Sequence, residues 1–129
     1  MTRLVDTSAW IETLRPQGDA DTRRAVEEAT REGDAALCEM VLLELWAGAG
    51  STRERAVITR LTADLEMLAI DADVWQKAWA LARTCRAAGI TLPTTDLLIA
   101  ACADHHGVEL LERDAHFAQI AGARKKSAK

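Results

Sequence analysis

The chain has 129 residues, of which 49% are hydrophobic and 28% are charged, a balance typical of a folded globular protein rather than a disordered one. Its formal net charge of -4 argues against a protein that binds nucleic acid non-specifically through an overall positive charge. It does not exclude an enzyme that binds nucleic acid at a local site. The longest apolar run, residues 97–103, is too short to span a bilayer, and no signal-peptide core precedes Asp6. We therefore expect one domain over residues 1–129, located in the cytoplasm and away from membranes.

The number and spacing of the cysteines limit which disulfide bonds and metal sites are expected. Cys38, Cys85 and Cys102 are odd in number, are widely spaced and include no C-x-x-C pair. This spacing favours neither a disulfide framework nor a zinc knuckle. We expect three reduced and buried thiols.

The beginning of the chain predicts a strand followed by two helices. Residues 3–6 predict a first short strand around the aliphatic pair Leu4-Val5, and the apolar spacing after them predicts a helix over residues 7–15, which Pro16 ends. A polar, amphipathic pattern predicts a second helix over residues 21–32, ended by Gly33.

The middle of the chain continues the alternation of strands and helices. Residues 35–38 predict a second strand, and residues 40–47 predict a helix that closes at Gly48. Ser51 or Thr52 caps the next helix. The expected inner face of that helix carries Ala56, Val57, Leu61 and Leu65.

The second half of the chain predicts two strands, two longer helices and a tail. Residues 66–70 predict a third strand, and Asp71 or Asp73 opens a helix that runs to about residue 88. The next helix starts at residues 93–95, and it should be central and buried because it is apolar on every side. Residues 108–111 predict a fourth strand, and the basic end, about residues 122–129, predicts a flexible tail. The expected inner face of the first of these helices is Val74, Ala78, Leu81, Ala82 and Cys85.

Short apolar strands that alternate with helices predict a parallel sheet with helices on both faces. In such a sheet the carboxyl ends of the strands meet at one edge, where ligands bind. Four acids lie at element ends near that edge: Asp6 after the first strand, Glu44 in the helix after the second, Asp96 at the start of the buried helix and Asp114 after the fourth strand.

Each of these acids has an ordinary explanation by itself. Asp6 suits a helix N-cap, Asp96 suits the positive end of a helix dipole, and Asp114 suits a loop. Glu44 stands in an apolar helix pattern, where a carboxylate requires a partner or a metal. No single acid therefore decides the function.

Taken together, the four acids predict a cation site. Carboxylates that converge on one cleft repel each other unless a cation lies among them. Ligands that are all oxygen atoms select Mg²⁺ or Mn²⁺ rather than zinc. Such an ion polarises a phosphodiester and lowers the pKa of a bound water, which suits hydrolysis.

Polar residues next to the acids in the sequence are candidates for supporting roles. Thr7, Ser8 and Thr95 either cap helices or hold phosphate oxygens and metal-bound waters, and capping is the commoner role for such residues. His116, close to Asp114, is a candidate contact to the substrate.

The tryptophans lie in apolar helix patterns, which fit packing in the core or at an interface better than stacking on bases. They are Trp10, Trp46, Trp75 and Trp79.

Four motifs, taken together and in this order, resemble the PIN-domain family and in particular its VapC-type toxins of bacterial type II toxin-antitoxin modules. The resemblance covers the whole chain. The motifs are residues 4–12 (LVDTSAWIE), Glu44-Leu45 with Gly48, residues 93–100 (PTTDLLIA), and residues 110–114 (LLERD) with Phe117.

The resemblance implies a three-layer α/β/α PIN domain with a short, mainly parallel central sheet. It implies a metal-dependent endoribonuclease that cleaves structured RNA (tRNA, rRNA or mRNA) and is neutralised by a small VapB-like antitoxin. It also implies a homodimer that forms a heterotetramer or larger assembly with that antitoxin. Under this resemblance, the acidic site residues of the family correspond to Asp6, Glu44, Asp96 and Asp114. Asp6 and Asp96 are then direct metal ligands, and Thr7 or Ser8 is a supporting position.

Three questions stay open at this point: whether the protein is an enzyme, how many metal ions it binds, and which arginines contact its partners. A catalytically silent PIN-fold protein that binds RNA or regulates a partner would keep the same fold. Many relatives carry a further acid where this chain has His116, so the resemblance does not decide between one and two metal ions. Two sets of arginines are candidates for contacts with RNA or antitoxin, and they are Arg53, Arg55 and Arg60, or Arg83 and Arg86.

Overall fold

The computed structural model describes residues 1–113 and 116–128, with side chains through residue 113 and from residue 117 to residue 126. Within these residues the chain forms four strands and seven helices. In chain order they are β1 (Arg3–Val5), α1 (Thr7–Leu14), α2 (Ala20–Arg31), β2 (Ala35–Cys38), α3 (Glu39–Gly48), α4 (Thr52–Asp64), β3 (Glu66–Leu68), α5 (Ala72–Ala87), α6 (Thr94–His106), β4 (Glu109–Leu111) and α7 (His116–Ala128).

The four strands form one sheet in the order β3-β2-β1-β4, and every neighbouring pair is parallel. Leu4 in β1 pairs with Ala36 on one side and with Leu110 on the other. The strand order therefore reverses at β1, which makes its carboxyl end the topological switch point where parallel sheets bind ligands. The predicted parallel sheet is confirmed.

Helices flank the sheet in the predicted α/β/α arrangement. Helix α1 packs against α2 and α3, and α5 packs against α6 and α7. In α6, all residues from Asp96 to Ala103 are buried, which confirms the prediction of a central helix. Within the described residues, no helix combines the length and the hydropathy that a membrane span requires.

The core consists of the strands and the buried helix faces. All four residues of β2 are buried, and Cys102 of α6 places its Sγ 4.0 Å from the carbonyl oxygen of Leu68 at the end of β3. Ile99 and Leu37 are fully buried, and burial of one such side chain stabilises the fold by about 1.5–3 kcal/mol. The three cysteines are buried and unpaired, as predicted.

Two predicted inner faces are partly wrong. Ala56 and Ala82 are exposed, whereas Ile58 is the buried residue of α4. On a helix, residues one or two positions apart point in different directions. Ala56 therefore cannot share a face with Ile58, and Ala82 cannot share one with the buried Leu81.

The predicted flexible tail is instead part of α7, which is helical through Ala128. Ile120 and Ala123 of this helix are buried in a small cluster that includes Leu81 and Leu97. The Nζ group of Lys126 donates a hydrogen bond to the carbonyl oxygen of Ala88 at 3.3 Å. These tertiary contacts, which the polar local sequence does not reveal, stabilise the helix.

Of the four tryptophans, only Trp10 lies in the core, where it is 3% exposed. Trp46, Trp75 and Trp79 are 43%, 45% and 62% exposed, so these three lie outside the core, and of the two predicted roles packing at an interface stays a prediction. Their apolar helix patterns arise because each lies beside buried neighbours on the same helix, such as Leu45 and Val74.

Candidate metal centre

Asp6 lies at the carboxyl end of β1 and is 3% exposed. It is the N-cap of α1, and its Oδ2 atom accepts hydrogen bonds from the Ser8 backbone N–H at 3.0 Å and from the Ser8 hydroxyl at 2.6 Å. The Asp6 backbone N–H donates to the carbonyl oxygen of Leu111 in β4 at 2.8 Å. The capping role is therefore real, and it holds this carboxylate at the switch point between β1 and β4.

Asp96 lies in the first turn of α6 and is 7% exposed. Burial raises the pKa of Asp6 above its usual value, the hydrogen bonds from Ser8 lower it, and the charge of Asp96 raises it again. The two buried carboxylates are thus close enough to repel each other, which is the electrostatic situation that a bound cation relieves.

Glu44 projects from α3 and is half-buried. Its Oε1 atom accepts a hydrogen bond from the Thr7 hydroxyl at 2.8 Å. Thr7 follows Asp6 directly, so this contact joins α3 to the first turn of α1 at the site. The partner that an acid in an apolar helix pattern requires is present.

Ser8 connects the site to the segment that follows β4. Its hydroxyl oxygen accepts a hydrogen bond from the Arg113 backbone N–H at 2.9 Å, while the hydroxyl proton is donated to Asp6. The guanidinium group of Arg113 lies 3.7 Å from Asp19 Oδ1. Ser8 is one of the predicted supporting residues but Arg113 is not, because a backbone donor from a distant segment leaves no signal in the sequence.

The structure links Asp6 to Asp96 through the repulsion of their charges, and it links Glu44 to Thr7, the residue after Asp6, through a hydrogen bond. Thr95 lies half-buried next to Asp96 in the first turn of α6. Two predicted site groups lie outside the described residues. They are Asp114 and the side chain of His116.

This group of side chains fits a hard divalent cation. Its donors are carboxylate oxygens, two of them buried, with hydroxyl groups beside them, and such donors suit Mg²⁺ or Mn²⁺. Both acids lie at helix N-termini, because Asp6 caps α1 and Asp96 lies in the first turn of α6. The positive ends of these helix dipoles favour negative charge, such as that of a carboxylate or a phosphate.

A different group of potential ligands, closer together than the three acids above, lies between the start of α5 and the end of α6. Ligand atoms of Asp71, Asp73 and His105 all lie within 4.8 Å of one another. Both acids are exposed, Asp71 is the N-cap of α5 through Val74 N–H, and its Oδ2 atom lies 3.7 Å from His105 Nε2. Helix capping and a surface ion pair account for this group.

Comparison with known proteins identifies the fold and the relatives. The profile of the PIN domain family matches residues 3–123. The VapC ribonuclease Mb1587 of Mycobacterium bovis is 37% identical over 124 residues, which cover 92% of this chain and 90% of the relative.

Two solved structures have the same fold. The structure of VapBC2 from Rickettsia felis, bound to a DNA fragment from its promoter, superposes with a TM-score of 0.75 at 18% identity and covers 89% of each chain. The VapC20 toxin of Mycobacterium tuberculosis, described as cleaving the sarcin-ricin loop, superposes with a TM-score of 0.69 at 22% identity and covers 91% of this chain and 93% of that one.

Proposed function

This chain belongs to the PIN domain family, and on that basis we propose that it is a VapC-type toxin, a metal-dependent endoribonuclease that hydrolyses phosphodiester bonds in structured RNA. The observation that carries the proposal is the pair of buried carboxylates, Asp6 and Asp96, at the switch point of the sheet. A buried pair of like charges is costly for the fold, so its presence supports a role in binding a cation.

In this proposal Asp6 and Asp96 bind Mg²⁺ or Mn²⁺ directly, and Glu44 and Asp114 complete the acidic site. The ion supplies a positive charge that polarises the phosphodiester and lowers the pKa of water.

The neighbouring hydroxyl groups position the acids. Ser8 holds the Asp6 carboxylate in one orientation through two hydrogen bonds, and Thr7 holds Glu44 through one. The positive ends of the α1 and α6 helix dipoles lie at these acids and favour a negatively charged phosphate near them. The chain's contribution to catalysis is therefore a preorganised charge distribution, in which the acids do not have to reorient when RNA binds.

The proposal includes the partners and the compartment. A VapB-like antitoxin neutralises the enzyme, and the toxin forms a homodimer within a heterotetramer or larger complex. The names of the relatives and of the VapBC structures support this assignment. The three unpaired, buried cysteines fit a reducing compartment, and we place the protein in the cytoplasm.

The test is cleavage of total cellular RNA by purified protein free of antitoxin, with Mg²⁺, with Mn²⁺ and with a chelator. Asp96→Asn keeps the volume of the side chain but removes its charge, so we expect at least about a 100-fold loss of cleavage rate, as for the loss of one preorganised electrostatic group. Asp64→Asn, which changes an exposed acid at the end of α4, is the control and should cleave within about twofold of the wild type.

Discrete RNA fragments that require both metal and Asp96 would support the enzyme. Full activity of Asp96→Asn would contradict the assigned site. If the wild type binds RNA equally well with and without metal and never cleaves it, the silent RNA-binding alternative replaces the enzyme.

A further inference from the structure

The charges of this chain are unevenly distributed along its sequence. All 20 Asp and Glu residues lie within residues 1–73 and 96–114. The other two segments, residues 74–95 and 115–129, contain no acid and carry seven of the 16 Lys and Arg residues. Charges separated by more than about 8 Å are largely screened at physiological ionic strength, so a phosphate near these segments responds to their local charge rather than to the net charge of -4.

The fold brings the two acid-free segments together. Helix α5 packs against α7, and Lys126 on α7 donates to the carbonyl oxygen of Ala88 just after α5. We call the exposed cations Arg83, Arg86, Lys125 and Lys126 the basic surface. Among the described side chains, no carboxylate forms an ion pair with any of these four, whereas Arg124 pairs with Asp104.

One residue of the basic surface lies near the end of α6 that carries Asp96. Arg83 and Arg86 line an open depression of about 760 Å³ on α5. Arg86 also forms a wall of a neighbouring groove of about 480 Å³, whose other walls include residues 89–92 and Leu97. Leu97 lies near the start of α6, so this groove brings Arg86 to the same end of the helix that carries Asp96, on a different face of the helix.

We propose that the basic surface binds the sugar-phosphate backbone of RNA beside the scissile phosphodiester. This inference rests on the proposed function, because it assigns a substrate surface to the same site. Guanidinium groups contact phosphate oxygens with two parallel hydrogen bonds, and the i, i+3 spacing of Arg83 and Arg86 places both on one face of α5.

The arginines of α4, the other set that the sequence left open, are less suited to this role. Arg53 and Arg55 flank Glu54, and Asp64 lies at the end of the helix. The guanidinium group of Arg55 donates to the hydroxyl of Thr52 at 3.2 Å. A phosphate on α4 would therefore meet mixed charge rather than a surface without acids.

The test measures binding of a fluorescently labelled RNA stem-loop in the Asp96→Asn background, with a chelator and over a series of salt concentrations. When the logarithm of the RNA-binding constant is plotted against the logarithm of the salt concentration, each phosphate contact contributes about 0.7–0.9 to the magnitude of the slope. Arg83→Gln combined with Arg86→Gln should therefore lower that slope by about 1.4–1.8 and weaken binding about tenfold. In the active background the same pair should raise KM about tenfold and leave kcat within twofold, since contacts equal in ground and transition states affect KM alone.

The matched control is Arg53→Gln combined with Arg60→Gln, which removes the same charge from α4 and should change binding less than twofold. Equal losses in the two double variants would overturn the proposal, because net charge alone would then explain them. A fall in molar mass by light scattering when Arg83 and Arg86 are replaced would also overturn it, since this face would then be a contact between copies of the chain.

The binding assay needs neither metal nor cleavage, so it separates this inference from the proposed function. Binding that depends on Arg83 and Arg86 in a wild type that never cleaves RNA would refute the enzyme and support the basic surface. Cleavage that requires Asp96, combined with binding that ignores Arg83 and Arg86, would refute the basic surface and support the enzyme.

Discussion

The Asp6 carboxylate accepts two hydrogen bonds from Ser8 while it lies buried near Asp96. These contacts have opposite effects on its ionisation. Burial raises the pKa of Asp6, the Ser8 hydrogen bonds lower it, and Asp96 raises it, with a net increase over the usual value of 3.8. One side chain therefore serves as a helix cap, which stabilises the fold, and as a buried charge, which opposes it.

The raised pKa of Asp6 predicts how stability depends on pH. The folded state binds the Asp6 proton more tightly than the unfolded chain does, so the free energy of unfolding falls as the pH rises from the usual value of 3.8 through the raised one. Asp6→Asn removes this penalty and can still cap α1. In the presence of a chelator we expect the variant to melt at a higher temperature than the wild type at pH 7, with the difference shrinking toward pH 4.

Thermal unfolding followed by circular dichroism checks this prediction. Asp64→Asn, which changes an exposed acid, is the control and should leave the melting temperature nearly unchanged at both pH values. A lower melting temperature for Asp6→Asn at pH 7 without metal would show that the cap outweighs the cost of the buried charge.

At the level of elements, α6 determines where Asp96 lies. Its buried residues extend from the acidic site at Asp96 to Cys102 beside the end of β3. The helix ends at Gly107, whose φ of 65° is left-handed, and Val108 N–H donates to the carbonyl oxygen of Ala103 at 3.0 Å. This C-cap turns the chain directly into β4.

Alanine substitutions at two glycines, Gly107 at the C-cap of α6 and Gly122 within α7, should have opposite effects on the free energy of unfolding. Gly107→Ala forces a side chain into the left-handed region and should lower the free energy of unfolding by about 1–2 kcal/mol. Gly122→Ala lies within α7, where nothing within 4 Å obstructs a Cβ atom, and it should raise the free energy of unfolding by about 0.5–1 kcal/mol. Urea denaturation measures both values, and a neutral Gly107→Ala would contradict the importance of this cap.

At the level of the whole molecule, the sheet order β3-β2-β1-β4 makes β1 the meeting point of the chain. Asp6 follows this strand, Thr7 reaches Glu44 on α3, and Ser8 reaches Arg113 after β4. The site is therefore assembled from segments that are distant in sequence, and it exists only in the folded state.

A site that exists only in the folded state predicts that metal raises thermal stability. A metal concentration 100 times the dissociation constant adds about 2.7 kcal/mol to the free energy of unfolding. We expect millimolar Mg²⁺ or Mn²⁺ to raise the melting temperature of the wild type and to have much less effect on Asp96→Asn.

The control for this prediction is Asp71→Asn, which changes the other group of potential ligands. Loss of the metal-dependent shift in Asp71→Asn, with the shift retained in Asp96→Asn, would place the ion near α5 and contradict the proposed site. No shift in the wild type at any metal concentration would exclude a tight site in the absence of substrate.

Much of the fold was predictable because local patterns determine it. The apolar runs and helical spacings predicted each strand, and they predicted α6 as central because it is apolar on every side. The errors have a common cause in packing between distant elements. The end of α7 is helical through contacts with the residues around α5, and Ala56 and Ala82 are exposed although they lie in apolar patterns at helical spacing.

Residue type and spacing along the chain are enough to predict the alternation of strands and helices, the positions of the acids at element ends and the type of ion that carboxylates bind. Three relations are visible only in the folded chain: Asp6 and Asp96 are both buried and their charges repel, Ser8 accepts a hydrogen bond from the backbone of Arg113, and Arg86 on α5 shares a groove with Leu97. These relations depend on the strand order and on the packing of helices far apart in sequence, and local periodicity carries no information about distances between such segments.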